Sequence, residues 1–405
     1  MLFAGAATVS AGALWYRHDN HGYGPADELA GDRPADSRLG DGGDRNLQSG
    51  HEDHTGQDGE ARYGSRRPHP QEARFYRKMG HDSVQCQLCP HGCTIAAGGT
   101  GLCRVRANKQ GTLYSMVYGR PCTVNTGPIE KAPLYHFLPG HRRLCVATVG
   151  CNLRCRFCQN WYISQRGPGE VREQDMSPEQ ILQEALERRV HSISFTYTEP
   201  TVFYEYMFDI SSLARASGLQ TSMVSNGFIN PGPLRSLLAC MDAVKIDLKA
   251  FTEDFYREIT SARLQPVLQT LEVLKQEQAH FEIVNLVVPA HNDDPDNIRK
   301  MCTWIKDRLG ADVPLHFSRF FPTYQMANLT ATPVKTLEMA TEIAHAVGLE
   351  FVYIGNVPGH RHNSTFCPQC GERLIYRSHF SVREYRIDAD RCRSCGYRIP
   401  GIWEG

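Results

Sequence analysis

The chain has 405 residues, Lys+Arg 44 against Asp+Glu 44, and 41% hydrophobic residues, enough for one large catalytic domain with small appendages. Its zero formal net charge gives nucleic acid no basic field to bind, and local pairs such as Arg142 and Arg143 read as solvated surface. The 15 cysteines fall mostly into tight C-x2-C or C-x3-C groups within a large enzyme-like sequence, which argues against a disulfide scaffold and for metal binding in a reducing compartment.

The first 17 residues, beginning MLFAGAATVSAGALWY, are apolar and rich in small residues. They carry no leading positive charge and fall short of the ~18 residues of a spanning helix. The segment fits a leader remnant, a weak anchor or an upstream extension, so membrane association stays open. No twin arginine precedes it, and oxygen-sensitive clusters would suffer in an oxidising space, so a cytoplasmic location is expected. Residues 18–73 are rich in Gly, Asp, Arg, His and Gln, with few aliphatics beyond Leu29, Leu39 and Leu47. Such a stretch cannot bury enough apolar surface to offset chain entropy and is expected to be disordered, with His51 and His54 part of a solvated tail.

Residues 74–132 form a cysteine-rich subdomain carrying Cys86, Cys89, Cys93 and Cys103. Four thiols can close a tetrahedral zinc site or hold an auxiliary iron-sulfur cluster, and both readings fit this spacing.

From 133 to 360, short apolar runs alternate with amphipathic stretches, the pattern of repeated βα units. Strands are expected at 143–150, 192–197, 221–226, 243–248, 281–288 and 314–320, with a last run in EFVYIGN. Helices are expected after Ser177, which is placed as N-cap, and around 202–216, 232–240, 252–275, 295–308 and 334–347. Six or seven parallel strands with outer helices make a partial or complete (β/α) barrel, a fold that keeps its chemistry at the C-terminal strand ends.

The loop after the first of these strands reads CNLRCRFC, with Cys151, Cys155 and Cys158 spaced C-x3-C-x2-C. A closed zinc site takes four ligands, so three local thiols leave one position open unless a distant ligand fills it. An iron-sulfur cube can use that vacancy, because an iron without a thiolate can bind substrate or cofactor directly. Four further cysteines, Cys122, Cys145, Cys240 and Cys302, stand alone and read as small buried hydrophobes.

At the C-terminus, within 361–405, Cys367 and Cys370 and then Cys392 and Cys395 form two C-x2-C knuckles separated by 21 residues rich in β-forming types. That reads as a zinc ribbon, with a gap slightly beyond the usual range of about 15 to 20.

CNLRCRFC followed by a βα barrel resembles the radical S-adenosylmethionine (SAM) enzymes, whose signature loop places an aromatic residue, here Phe157, just before the third cysteine. More specifically, PIEKAPLYHFLPG, CQNWYISQ, YTEPTVFYEY, LHFSRFFPTY and YIGNVPGH resemble the radical SAM protein of the AmmeMemoRadiSam system, within the pyruvate formate-lyase activating-enzyme-like class. The likeness runs from about Arg74 to the C-terminus. It implies a partial (β/α) barrel in which Cys151, Cys155 and Cys158 hold three irons of a [4Fe-4S] cluster. The fourth iron binds SAM, reductive cleavage yields a 5'-deoxyadenosyl radical, and that radical abstracts hydrogen from a substrate.

The resemblance also implies roles for strand-end residues. Glu199 matches an acidic residue that accepts hydrogen bonds from the SAM amino group, although the family's two preceding glycines are here Tyr197 and Thr198. Ser225 and Asn226 match a polar turn near the SAM ribose, and Asp247 and Lys249 match a D-L-K stretch reaching ribose and carboxylate. On the sixth strand, activating enzymes often place histidine. This chain offers His316 or Arg319, of which alternation lets only one face inward. The resemblance further implies a reductant protein such as a flavodoxin or ferredoxin, and Memo-like and AMME-like partners. The substrate is a small molecule or the glycine of a glycyl radical enzyme. A non-enzymatic zinc-binding interaction module is the rival from another class, and it predicts zinc as the only metal and no SAM binding.

Overall fold

The computed structural model describes residues Pro70–Glu404. The apolar segment 1–17 and the stretch expected to be disordered as far as residue 69, with His51 and His54, lie outside the described residues. The last residues of that stretch are ordered: Gln71–Glu72 is a strand paired antiparallel with Ser115 and Tyr114, and Ala73 is buried. Sequence polarity hid this, because both strand residues are exposed and the stability comes from the partner strand.

An eight-stranded sheet dominates the molecule. Its strands are β1 (Thr123–Pro128), β2 (Arg142–Ala147), β3 (Ser192–Phe195), β4 (Gln220–Ser225), β5 (Ala243–Asp247), β6 (His280–Val287), β7 (Leu315–Arg319) and β8 (Val352–Gly355). They lie side by side in chain order. β1 runs antiparallel to β2, every later neighbour pair is parallel, and β1 and β8 form open edges. The architecture is therefore the partial barrel.

Helices α1 (Pro178–Glu187), α2 (Tyr204–Ala216), α3 (Pro231–Leu238), α4 (Leu264–Gln276), α5 (Pro295–Leu309) and α6 (Val334–Val347) connect successive parallel strands. Their starts follow from local chemistry. Ser177 caps α1 reciprocally with Gln180, Asp294 accepts from the Asn297 backbone N–H at α5, and Pro178, Pro231 and Pro295 occupy first-turn positions that need no N–H donor. No described helix is long and apolar enough to cross a membrane.

Alternation along the strands divides the sheet into two chemical faces. Leu144, Val146, Ile193, Phe195, Val244, Ile246, Leu315 and Phe317 are fully buried on the helix-packed side. Each such side chain contributes about 1.5–3 kcal/mol by leaving water. The opposite face is polar: Arg143 donates to Ser194 Oγ at 2.6 Å, Ser222 donates to Ser194 Oγ at 2.9 Å, and His316 pairs with Glu282 at 2.7 Å. A packed barrel interior would carry Val, Ile and Leu in those places.

One expected helix is broken. The periodic stretch 252–275 opens as a short turn at Glu253–Phe255, widens into a π-helical turn at Tyr256–Thr260, and stops at Ser261, which adopts φ 57°. The chain restarts as α4. The break exposes backbone carbonyls that the cysteine loop uses: Arg154 N donates to Thr260 O at 2.8 Å and Arg156 N to Ile259 O at 3.0 Å.

Candidate active site

Residues 148–160 leave the C-terminal end of β2 and carry Cys151, Cys155 and Cys158. Cys155 is buried, and Cys151 and Cys158 are partly exposed. Hydrogen-bonding groups already surround two of the sulfurs. Leu153 N lies 3.4 Å and Asn226 Nδ2 3.8 Å from Cys151 Sγ, while Ser164 Oγ lies 3.2 Å from Cys158 Sγ. Burial pushes the Cys151 and Cys155 thiols up, Cys155 to about 12, with Lys249 opposing the shift at Cys155. Buried thiols of this kind become thiolates when a metal replaces the proton. Three thiols on one loop, two of them with hydrogen-bonding groups beside the sulfur, fit a thiolate-ligated iron-sulfur cluster with one open iron.

The ends of the next strands converge on this loop. Glu199, just past β3, is 2% exposed, and its carboxylate accepts from Thr201 N at 3.0 Å, Ser225 Oγ at 2.8 Å and Asn226 N at 2.8 Å. Burial pushes the Glu199 carboxyl up against these donors, which stabilise its charge. It braces the ends of β3 and β4. Asn226 in turn donates to Asn152 Oδ1 at 2.9 Å, so the turn after β4 is tied to the residue beside Cys151.

Tyr197 occupies the first glycine position of the resembled motif and adopts φ 68°, a left-handed conformation that glycine enters without strain. The backbone therefore keeps the glycine geometry with another side chain. Its carbonyl accepts from Asn160 Nδ2 at 2.7 Å, and Thr198 Oγ1 donates to Thr148 O at 2.8 Å. Asn160, Thr148 and Asn152 were not singled out from sequence; an Asn-rich turn beside the cysteines was the available signal.

At the end of β5, Asp247 lies between Lys245, with which it pairs closely, and Lys249, whose Nζ is 3.1 Å away. Burial would raise the Asp247 carboxyl, but the two ammonium groups overcome it and hold it down at about 2. Burial likewise works against the Lys249 charge, and Asp247 and Cys155 together raise its pKa instead. Lys249 Nζ also lies 5.7 Å from the centre of the Phe157 ring, which is itself buried. Phe157, Cys155, Asp247 and Lys249 thus form one contiguous group.

Of the two candidates His316 and Arg319, which lie on β7, His316 faces inward. It is fully buried against Glu282, which also accepts from His136 N at 2.7 Å. Arg319 turns away, donating from Nε to Thr332 O at 2.8 Å.

The two other cysteine groups differ in geometry. Cys367, Cys370, Cys392 and Cys395 have sulfurs all within 4.8 Å of one another, with Cys367–Cys395 at 3.6 Å and Cys370–Cys392 at 3.7 Å. That is the spacing of four thiolates around one tetrahedral ion, about 3.8 Å for bonds near 2.3 Å. Cys86, Cys89, Cys93 and Cys103 instead line one partly open recess together with His91, Arg106 and Asn152. Of the lone cysteines, Cys145, Cys240 and Cys302 are buried and Cys122 is half-buried.

Residues 145–302 match the radical SAM superfamily model. The chain is 44% identical over 330 residues to an uncharacterized protein of Methanocaldococcus jannaschii, covering 81% of this chain and 98% of that protein. It is 25% identical over 200 residues to the pyruvate formate-lyase-activating enzyme of Listeria monocytogenes, covering 47% of this chain and 77% of that enzyme. The corresponding enzyme of Clostridium pasteurianum is 26% identical over 175 residues, covering 42% of this chain and 71% of that enzyme. The protein is an enzyme of α/β fold with a partly open parallel sheet and belongs to the radical SAM superfamily, with activating enzymes among its homologues. Membership implies a [4Fe-4S] cluster and SAM as cofactors, and the C-terminal cysteine quartet can bind a metal.

Proposed function

We propose that Cys151, Cys155 and Cys158 ligate the [4Fe-4S] cluster and that Phe157, Glu199, Ser225, Asn226, Asp247 and Lys249 line the SAM site. The observation that carries this reading is the convergence of three strand ends on the cysteine loop, through Asn226 to Cys151 and through Lys249 to the Phe157 and Cys155 side. When bound, cluster and SAM supply reductive cleavage of the sulfonium to a 5'-deoxyadenosyl radical that takes hydrogen from a substrate. The protein's share is binding and orientation. Glu199 holds the Ser225 hydroxyl and the Asn226 N–H in place, and three of its four acceptor directions are occupied, so one remains for an amino group. The Lys249 ammonium offers donors to a carboxylate, and Asp247 offers acceptors to ribose hydroxyls.

The C-terminal quartet is assigned to structural zinc, since its sulfur spacing leaves room for one ion. A low-potential one-electron donor such as a flavodoxin or ferredoxin completes the system. Within the superfamily we place the protein with the radical SAM proteins of the AmmeMemoRadiSam system, acting with Memo-like and AMME-like partners on a substrate of its own. The second reading is activation of a glycyl radical enzyme, favoured by the similarity to pyruvate formate-lyase-activating enzymes.

The test is 5'-deoxyadenosine formation by anaerobically reconstituted protein with SAM and dithionite, beside Cys155→Ala. Product from the parent alone supports the assignment; no product from a parent with full cluster and bound SAM overturns it. A doublet electron resonance signal on a candidate partner would favour the glycyl radical reading.

A further inference from the structure

Four thiols that the proposed SAM chemistry leaves unused surround a single recess. Cys86 ends the strand Val84–Cys86, Cys89 and Cys93 lie in the turn that follows, and Cys103 precedes the strand Arg106–Lys109. The wall between the sulfurs is largely apolar, made by Leu88, Ile95, Leu102 and Val202, and the recess is partly open to solvent. One zinc ion would draw its four thiolates to about 3.8 Å of one another. The C-terminal quartet shows that closed arrangement; among the described residues it is the group whose ligand atoms all lie within 4.8 Å.

A second observation points to an acceptor inside the recess. Arg106 is 2% exposed and lines the hollow. Its terminal nitrogens are used, one on Glu205 at 3.0 Å and the other on Arg74 O at 2.7 Å, but its Nε has no hydrogen-bond partner. A buried guanidinium N–H without an acceptor is costly, and a cluster sulfide or thiolate in the recess would satisfy it.

The recess also adjoins the SAM-cluster loop. His91 Nε2 lies 2.7 Å from Asn152 O, one residue past Cys151. Gly150, one residue before it, sits so close to Cys103 that an added Cβ would lie 2.9 Å from the Cys103 carbonyl and 2.6 Å from Val105 Cγ1.

We propose that Cys86, Cys89, Cys93 and Cys103 hold a second iron-sulfur cluster, with Arg106 Nε–H donating to it, packed against the loop that carries Cys151. Four thiolates leave no iron open, so this centre takes up and releases single electrons and binds no substrate. Its reduction adds one electron, supplied in the test by dithionite, and moves no ligand or proton.

The experiment counts metals per chain after anaerobic reconstitution and records electron resonance after dithionite. In the Cys151→Ala/Cys155→Ala/Cys158→Ala variant, about four irons, four sulfides and a reducible signal unchanged by SAM are expected. No iron with about two zincs per chain would overturn the proposal. Should that variant not fold, Cys89→Ala/Cys93→Ala in the intact chain replaces it, with iron expected to fall from about eight to about four. Iron constant at about four with zinc falling from two to one would overturn the proposal. The proposed SAM function fails separately, through a parent signal that does not respond to SAM.

Discussion

Asn226 and Cys151 meet side chain to side chain: the Asn226 amide nitrogen lies 3.8 Å from the Cys151 sulfur and 2.9 Å from Asn152 Oδ1, while its backbone N–H is held by Glu199. The fourth strand is thereby linked to the first cysteine through one residue. An N–H near a ligating sulfur stabilises the more negative, reduced state of a cluster. Asn226→Ala is expected to lower the cluster midpoint potential and to slow 5'-deoxyadenosine formation by roughly 10–100-fold, the usual cost of losing a residue that orients a metal ligand. A redox titration followed by electron resonance checks it. An unchanged potential would show that the contact carries no electronic role.

Asp247 lies between two buried cations. Lys245 and Lys249 side chains are 7% and 10% exposed, so losing the carboxylate leaves ammonium groups in a poor solvent. Asp247→Asn is expected to cost about 3–5 kcal/mol, and adding Lys245→Met should recover part of it by removing one stranded charge. Acid should mimic the first variant. The carboxyl sits at about 2 in the folded protein against an ordinary 3.8, so its contribution is complete above about pH 4 and is lost as pH falls towards 2. Denaturant titrations of parent and variant across pH 2–5 should show the parent converging on the variant at the acid end.

Strands β2 to β8 could be read from the sequence because each is a β-branched or apolar run closed by turn residues, and such runs need only local information. β1, Thr123–Pro128, could not, and it moves the start of the sheet into the stretch 74–132 expected to be the cysteine-rich subdomain, because its half-buried residues gain their place only by pairing with β2. Nor could the break at Ser261. Its apolar period continues through 252–275, and the carbonyls freed at the break are used by Arg154 and Arg156, more than 100 residues away. The cysteine loop was legible because its three thiols fall within eight consecutive residues. Asn160 and Asn152 were not, because their partners are Tyr197 O and the Asn226 amide, contacts that only the assembled sheet creates.

Tyr197 offers a test of backbone against side chain. Its φ of 68° burdens any non-glycine residue by about 1–2 kcal/mol, and its hydroxyl donates to Asn125 Oδ1 at 3.1 Å. Tyr197→Ala loses the side-chain contacts and keeps the strain, whereas Tyr197→Gly loses both. The glycine variant should therefore be the more stable of the two by about 1 kcal/mol in denaturant unfolding. Equal stabilities would mean that the turn relaxes out of the left-handed region once the ring is gone.

Metal at the C-terminal quartet should matter beyond the tail itself. Arg377, fully buried on the hairpin strand Arg373–Ser378, donates to Tyr135 O at 2.7 Å and sits 3.7 Å from Glu130. Past the knuckles, Ile402 N donates to His136 O and Leu138 N to Ile402 O, both at 2.8 Å, so the chain end is stitched to the segment leading into β2. The cluster beneath it has ten buried residues, among them Leu374, Ile375, Ile387, Trp403 and Tyr353 of β8, and two of the ten are the knuckle cysteines Cys367 and Cys392, so a core this small is expected to lean on the cross-link. Chelation, or Cys367→Ser, is expected to release about one zinc per chain and to open tryptic sites between Arg383 and Arg398 while iron content stays constant. Full tryptic protection after the zinc has gone would show that packing against Tyr135 and His136 holds the tail without the metal.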